Sequence, residues 1–433
     1  MLKPEPTRGD TTWFVHDRFG LFIHFGLYAL AARHEWVKNR ERMSDADYQK
    51  YFDHFNPDLY DPRSWAQSAR EAGMKYAVLT TKHHEGFCLW DSKLTDYKAT
   101  STLYGRDLVR PFVDAFREAG LRIGFYHSLL DWHHPDYPVD PHHPMRDHPE
   151  ASAWNEKRDI RAYADYLLGQ VTELLTGFGK IDLMWFDFSN PNERYRGLCG
   201  KGREDWQSER LLKAVRELQP GILVNDRLDL PASEIDIHTP EQFEPRTWVH
   251  VGGKPVVWEA CHTFSGSWGY HRDEETWKSP AQLIQMLVGT VSRGGNLIMN
   301  AGPTARGTFD RRAQEALQVY RDWMALHGRS IYGCTQSEFH EPANCRLTQN
   351  GKRLYVHILA WPFETLYLDG LAGRVEYAQL LHDGSEIAFG TSPERPEATS
   401  FLDPSKRYGD TLLLKLPVRK PDVVVPVVEL FLR

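Results

Sequence analysis

The sequence predicts an α/β protein: a (β/α)8-like TIM barrel followed by a C-terminal antiparallel β-sandwich. Three observations predict it. About eight short apolar runs, mostly separated by helical stripes, occupy the first 330 or so residues, as an α/β barrel requires. The junction Arg70-Glu71-Ala72-Gly73-Met74-Lys75 recurs as Arg117-Glu118-Ala119-Gly120-Leu121-Arg122, as successive units of one parallel sheet would. After the mid-330s no helical stripe remains, and Val-, Leu- and Tyr-rich segments alternate with Gly, Pro and Asp turns. The expected domains are a barrel over residues 1–334 and a sandwich over residues 335–433.

The first strand is Leu21 to Phe25, stopped by Gly26. Asp61 and Pro62 then offer an N-cap and a first helical residue, Trp65, Ala66, Ala69 and Ala72 recur at helical spacing, and Gly73 ends the helix. Tyr76 to Leu79 is the second strand. Asp107 opens a helix with Leu108, Phe112, Ala115, Phe116 and Ala119 on one face; Gly120 stops it, and Arg122 to Tyr126 is the third strand. A stripe from Ile160 to Phe178 closes at Gly179 and leads into the apolar run 181–188, which ends in a single carboxylate, Asp187, beside Trp185. The helix Leu211 to Leu218 precedes the strand Ile222 to Asn225. Glu234 to Ile237 and Val256 to Trp258 are shorter strands. Ser279-Pro280 caps a helix through Val291, Asn296 to Met299 is the last strand of the set, and a helix bearing Leu317, Tyr320, Trp323 and Met324 follows. The sandwich strands are Leu354 to Ala360, Thr365 to Leu368, Val375 to Leu381, Leu412 to Leu416 and Val423 to Leu432.

Composition narrows the function. The 433 residues carry a net charge of -7, which leaves no basic footprint for nucleic acid or an anionic membrane. No apolar run is long enough to span a bilayer. The first ten residues lack the apolar core of a secretion signal, so a cytoplasmic location is expected. Five widely spaced cysteines without a CxxC pair argue against a disulfide framework or a structural zinc site. Fourteen Trp and nineteen Tyr suit a large core, and also platforms for the apolar C–H faces of sugars. No motif specifies an oligomeric state.

In such a barrel, chemistry sits where strands end. His24, the pair His83 and His84, Tyr126 with His127, Asp187 and Glu259 all fall at expected strand ends. Any one of them alone reads as a structural polar group, whereas five converging on one rim suggest a site. Two carboxylates on different strands, Asp187 and Glu259, are the equipment for glycosidic bond cleavage: one attacks the anomeric carbon and the other protonates the leaving oxygen. Trp258 and Trp268 would give Glu259 the apolar setting that keeps a carboxylic acid protonated.

Metal-dependent sugar chemistry is the competing class. His83-His84-Glu85 and the run Asp131 to Asp136, with His142, His143 and His148 beyond, are dense in ligand types, but none matches HExxH or a CxxC spacing. Five prolines between 135 and 149 place the second run on an extended substrate-rim loop. Neither metal nor cofactor is expected. Gly294-Gly295-Asn296 is no phosphate loop, and Ser265-Gly266-Ser267 is no nucleophile elbow.

Longer stretches add a resemblance. Phe19 to Tyr28 followed by Glu35-Trp36, Lys82 to Phe87, Phe125 to His133, Trp258-Glu259-Ala260-Cys261 with Ser267 to Tyr270, and Gly294 to Pro303 resemble, in order, the motifs of the family 29 α-L-fucosidases. The resemblance covers most of residues 13 to 330. It implies a retaining exo-glycosidase with no cofactor, acting on a fucosylated oligosaccharide or glycoconjugate. It implies that Asp187, in Trp185-Phe186-Asp187, is the nucleophile and that Glu259 is the acid/base, with Glu241 as its rival. His24, Glu35, Trp36, His83, His84, Tyr126 and Trp185 would hold fucose, and Arg246 and Arg272 are candidate contacts near the anomeric carbon. The chain departs from the family pattern at Phe25, Glu85 and His127, and at Phe188, where a Gly often follows the nucleophile. A non-catalytic carbohydrate-binding barrel is the alternative from a different class.

Overall fold

The computed structural model describes residues 3–391 and 410–433, so part of the expected sandwich, residues 392–409, lies outside the described residues. Seven parallel strands form one sheet: β1 (Phe19–Ile23), β2 (Tyr76–Lys82), β3 (Arg122–Ser128), β4 (Leu183–Asp187), β5 (Leu223–Val224), β6 (Glu259–Thr263) and β7 (Asn296–Ala301). Their spatial order is β6-β7-β1-β2-β3-β4-β5, so the chain winds in sequence around a curled sheet. Between the outer strands β5 and β6 runs a stretch that adds no strand to this sheet. It makes three isolated parallel bridges, Asn225 with Ile237, His238 with Trp258, and Glu241 with Cys261.

The helices follow their sequence signals. α1 (Pro62–Glu71) is capped by Asp61, whose side chain accepts from the Arg63 N–H, and buries Trp65, Ala66 and Ala69. α2 (Val109–Glu118) and α3 (Ile160–Gly177) bury one apolar face each, as do α4 (Ser208–Leu218) and α6 (Arg311–His327), whereas α5 (Pro280–Val291) is buried on nearly all sides from Leu283 onward. A Ser279–Gln282 capping box starts α5. In the repeated junctions Gly73 and Gly120 have φ of 83° and 78°, the left-handed conformation that a Cβ disfavours and that turns a helix end back toward the sheet.

The strands are buried on both faces. Between sheet and helices lies the main core. A second cluster, with Phe22, Tyr76, Val78, Tyr126, Leu183, Trp185, Ile237, Cys261 and Ile298, fills the concave side. Gly20 is what lets Tyr76 join it, since a Cβ at Gly20 would sit 2.3 Å from the Tyr76 ring.

Two expected strands are not formed as such: Glu234 to Ile237 is a turn with a single bridge at Ile237, and the other is displaced, with consequences for the site. Val256 to Trp258 was expected to be a strand ending at Glu259. Instead Lys254–Pro255 pairs in a hairpin with His250–Val251, and the sheet strand begins at Glu259, in register with Asn296. Glu259 therefore opens β6 at the base of the sheet and does not close it at the rim. The apolar run Val256–Val257–Trp258 resembles a strand, with Val257 and Trp258 buried, but it is the lead-in to one.

Beyond α6 the chain forms two antiparallel sheets. One contains β8 (Thr335–Gln336), β9 (Cys345–Asn350), β10 (Arg353–Ile358), β12 (Val375–Leu380) and β15 (Val427–Leu432). The other contains β11 (Thr365–Leu368), β13 (Phe389–Thr391) and β14 (Leu412–Lys415). They share a core of residues such as Leu347, Val356, Leu368, Leu414 and Leu430. Tyr355, Val425 and Val427 join the main core, and Trp323 of α6 donates to the Val425 carbonyl at 3.2 Å.

Candidate active site

A cavity of about 70 Å³ opens at the C-terminal ends of the strands, and Trp185, Phe22 and Tyr126 form its floor. Seven of the nine expected site residues line it: His24, Trp36, His83, His84, Tyr126, Trp185 and Asp187. Phe188, Arg227, Glu241 and Trp268 complete the wall with Phe22.

Asp187 is the last residue of β4. Its Oδ2 accepts from the Tyr126 hydroxyl at 2.8 Å, and its Oδ1 lies 3.3 Å from the Arg227 Nη1. Burial pushes its carboxyl up to about 6, against the pull of the Arg227 guanidinium, with Glu241 adding to the rise. At neutral pH it is ionised. Arg227 sits on the single 3-10 turn Asp226–Leu228 after β5 and reaches both acids of the cavity, since its Nη2 bonds Glu241 Oε2 at 2.9 Å. Its position is held by Thr239, which accepts from Nε at 3.0 Å, and its guanidinium lies 5.1 Å over the Trp185 ring.

The histidines are neutral, because burial pushes each well below its ordinary value, His83 to about 3. Their tautomers follow from the network. Asn300 donates its Nδ2 to the Trp268 carbonyl at 2.6 Å, so its Oδ1, 2.7 Å from His24 Nδ1, must accept. His24 therefore carries its proton on Nδ1, and Nε2 is an acceptor. Ser128 donates to the Leu130 carbonyl, so His84 Nδ1 donates to Ser128 Oγ at 2.6 Å, and its Nε2 is again an acceptor, 3.7 Å from Asp187 Oδ2. Behind His83 lies the carboxyl of Glu85, 3.4 Å from Nδ1 and pushed up to about 8 by burial.

Phe188 stands where a glycine was expected, and it keeps the glycine's backbone: its φ is 80°. Its ring packs against Trp36, His84 and His142, with centroids 5.5, 5.3 and 4.5 Å away, and so becomes part of the cavity wall.

Two expected residues lie elsewhere. Glu35 is buried behind the wall, where its Oε2 accepts from the backbone N–H groups of Trp268 and Gly269 at 3.1 and 2.9 Å. Glu259 is fully buried beneath the floor, its oxygens taken by the Tyr76 hydroxyl and, at 3.3 Å, the Trp185 Nε1–H. It has no path to the cavity, whereas its rival Glu241 lines it. This corrects the expectation that Glu259 faces the substrate, and the displaced start of β6 is the reason. Arg246 and Arg272 are also remote. Arg246 is exposed beside Arg293 and the C-terminal unit, and Arg272 pairs with Asp273 in solvent. Arg227 was missed, although it follows the strand Ile222 to Asn225 as closely as the residues that strand ends did identify.

The histidine-rich loop is occupied by packing and pairing. His133 stacks on Tyr97, His134 lies against Tyr166, and His142 pairs with Glu193 at 2.6 Å. Among the described residues no group of three or more His, Cys, Asp or Glu side chains is arranged to hold a metal ion.

Known proteins resemble this chain in sequence and fold. The chain is 29% identical to the tissue α-L-fucosidase of Bos taurus, covering 81% of this chain and 75% of the relative. It is also 29% identical to the plasma α-L-fucosidase of Rattus norvegicus, covering 93% and 90%. Among solved structures, α-L-fucosidase isoenzyme 1 from Paenibacillus thiaminolyticus superposes with a TM-score of 0.89 at 45% identity over 98% of both chains. A covalent intermediate trapped with 2-fluoro-fucosyl fluoride in an α-L-fucosidase from Bacteroides thetaiotaomicron superposes with a TM-score of 0.82 at 28% identity, over 100% of this chain and 98% of that one. The family model described as Alpha-L-fucosidase matches residues 4–329, and with that span covered the chain belongs to the α-L-fucosidase family of glycoside hydrolases.

Proposed function

We propose that this chain is a retaining exo-α-L-fucosidase with Asp187 as nucleophile and Glu241, not Glu259, as acid/base. The observation that carries the assignment is that Asp187 and Glu241 line one cavity and are bonded by the two ends of one guanidinium, while Glu259 is sealed below it. In the first step Asp187 Oδ attacks the anomeric carbon, the glycosidic bond breaks, and Glu241 gives its proton to the departing oxygen. In the second, water enters, Glu241 takes its proton, and the bond to Asp187 breaks with configuration retained. The substrate is the terminal α-L-fucose of an oligosaccharide or glycoconjugate. The intermediate trapped in the Bacteroides relative supports the two-step course.

Acceptor nitrogens on His24 and His84 suit sugar hydroxyl donors, while Trp36, Trp185 and Trp268 offer faces to its C–H groups. Tyr126 and Arg227 stabilise the Asp187 carboxylate as it is released from the sugar in the second step. Glu35 acts by holding the Trp268–Gly269 backbone.

Three parallel bridges support reading residues 237–241 as an irregular eighth stave that closes a (β/α)8-like barrel. The shared core of the two C-terminal sheets supports reading them as a β-sandwich, with the domain boundary at residues 334/335. Five free thiols, one of them on the exposed Cys199, support a cytoplasmic location.

Asp187→Gly tests the central assignment. The variant should lose turnover of an aryl α-L-fucoside, and azide should restore release of the phenol with β-L-fucosyl azide as product. Full activity without azide would overturn it.

A further inference from the structure

Glu259 is a buried acid that the reaction does not use. It is 0% exposed and sits on the concave side among Tyr76, Trp185, Cys261 and other members of the second core. Among the described residues only neutral donors reach it: the Tyr76 hydroxyl on Oε1 and the Trp185 indole N–H on Oε2. Burying a carboxyl without a cation is costly, and an apolar side chain would fill the space more cheaply. What the carboxyl adds is direction. Tyr76 lies in the cleft left by Gly20, so its hydroxyl orients the carboxyl from below. The carboxyl in turn holds the indole N–H of Trp185, which sets the plane of the ring that floors the cavity. The guanidinium of Arg227 lies 5.1 Å over that ring, and its two nitrogens bond Asp187 and Glu241. Trp185 also stands two residues before Asp187 on the same strand, so both face the concave side.

We infer that Glu259 is a positioning residue: its carboxyl anchors the Trp185 indole from beneath and, through the Arg227 guanidinium above that ring, holds the Asp187–Glu241 pair in reacting geometry. The inference rests on Asp187 and Glu241 being that pair. It differs from a packing role in one respect: its effect passes through a single side chain, Trp185.

The test is a double-mutant cycle on kcat/KM with Glu259→Leu and Trp185→Phe, using aryl α-L-fucosides of graded leaving-group ability. Each single variant should lose at least about tenfold in kcat, because misplacing reacting groups by a fraction of an ångström is penalised to this degree or more. The loss should be equal for good and poor leaving groups. The double variant should be no worse than Trp185→Phe alone, and Glu259→Gln, which keeps an acceptor for the indole, should recover most of the activity. If Glu259→Leu does not fold, Trp185→Phe decides, since it removes the N–H and leaves the carboxyl; kcat unchanged from the parent enzyme would overturn the inference. Multiplying losses in the double variant, with an unchanged leaving-group dependence, would overturn it and leave the catalytic pair intact. A loss in the Glu259 variants that grows as the leaving group worsens would return the acid role to Glu259 and overturn both.

Discussion

Arg227 donates to Asp187 through Nη1 at 3.3 Å and to Glu241 through Nη2 at 2.9 Å, so a single guanidinium spans the two carboxylates of the cavity. Its planar fork suits this, and a lysine would present only one point charge. It also opposes the burial that pushes the Asp187 carboxyl up, which favours the ionised carboxylate.

Arg227→Met should therefore lower kcat by about 10²–10³, the usual loss for an electrostatic contact in a dry site. The acid limb of kcat/KM, expected near about 6 from Asp187, should move to higher pH, because the variant loses the cation that favours the ionised carboxyl. A pH–rate profile checks both, and an acid limb that stays in place would refute the link between Arg227 and Asp187.

Glu241→Ala should spare aryl fucosides whose leaving group departs without a proton, and should slow poor leaving groups by about 10²–10⁴ in the first step. Pre-steady-state rates across a series of phenols measure this. A uniform loss would mean that another group gives the proton.

Phe188 holds a left-handed backbone that costs a non-glycine residue about 1–2 kcal/mol. Phe188→Ala and Phe188→Gly both remove the ring from the wall, but only the glycine relieves the backbone. Thermal melts should rank Gly above Ala, although in ordinary loops glycine is the less stable choice. Loss of the ring should raise KM in both. Equal melting temperatures would count against the strain.

Burial raises the Glu85 carboxyl from its ordinary 4.5 to about 8, so between those values the folded chain binds more protons than the unfolded one. Stability from this group is full below about 4.5 and falls as pH rises toward 8, with a slope on the order of 1.4 kcal/mol per pH unit. Glu85→Gln removes the dependence. Relative to the parent, the variant should gain melting temperature steadily from pH 5 to pH 8; a difference that stays flat would contradict a protonated Glu85.

Much of the fold was legible because its signals are local. Helix caps, helical stripes and glycine stops act within a few residues, and α1 at Asp61-Pro62 and α5 at Ser279-Pro280 begin where those signals place them. Asp187 was legible too, since an apolar run ending in one carboxylate is read along the chain. The glutamate that shares its cavity was not. Val256 to Trp258 is apolar, with Val257 and Trp258 buried, and burial alone does not distinguish a strand from the lead-in to one, so a shift in where β6 starts moved Glu259 from rim to base. Glu241 lies on a stretch with isolated bridges and no periodicity, which left only its proline neighbour to read. Arg227 acquires its meaning from Asp187 and Glu241, respectively 40 residues before it and 14 after it, and only folding brings the three together. The sequence by itself determined the order of most strands and helices, the family and the carboxylate that ends β4. The tertiary structure alone decided which glutamate lines the cavity, because that choice depends on register between strands distant in the chain and on which side of the Trp185 ring each carboxyl lies.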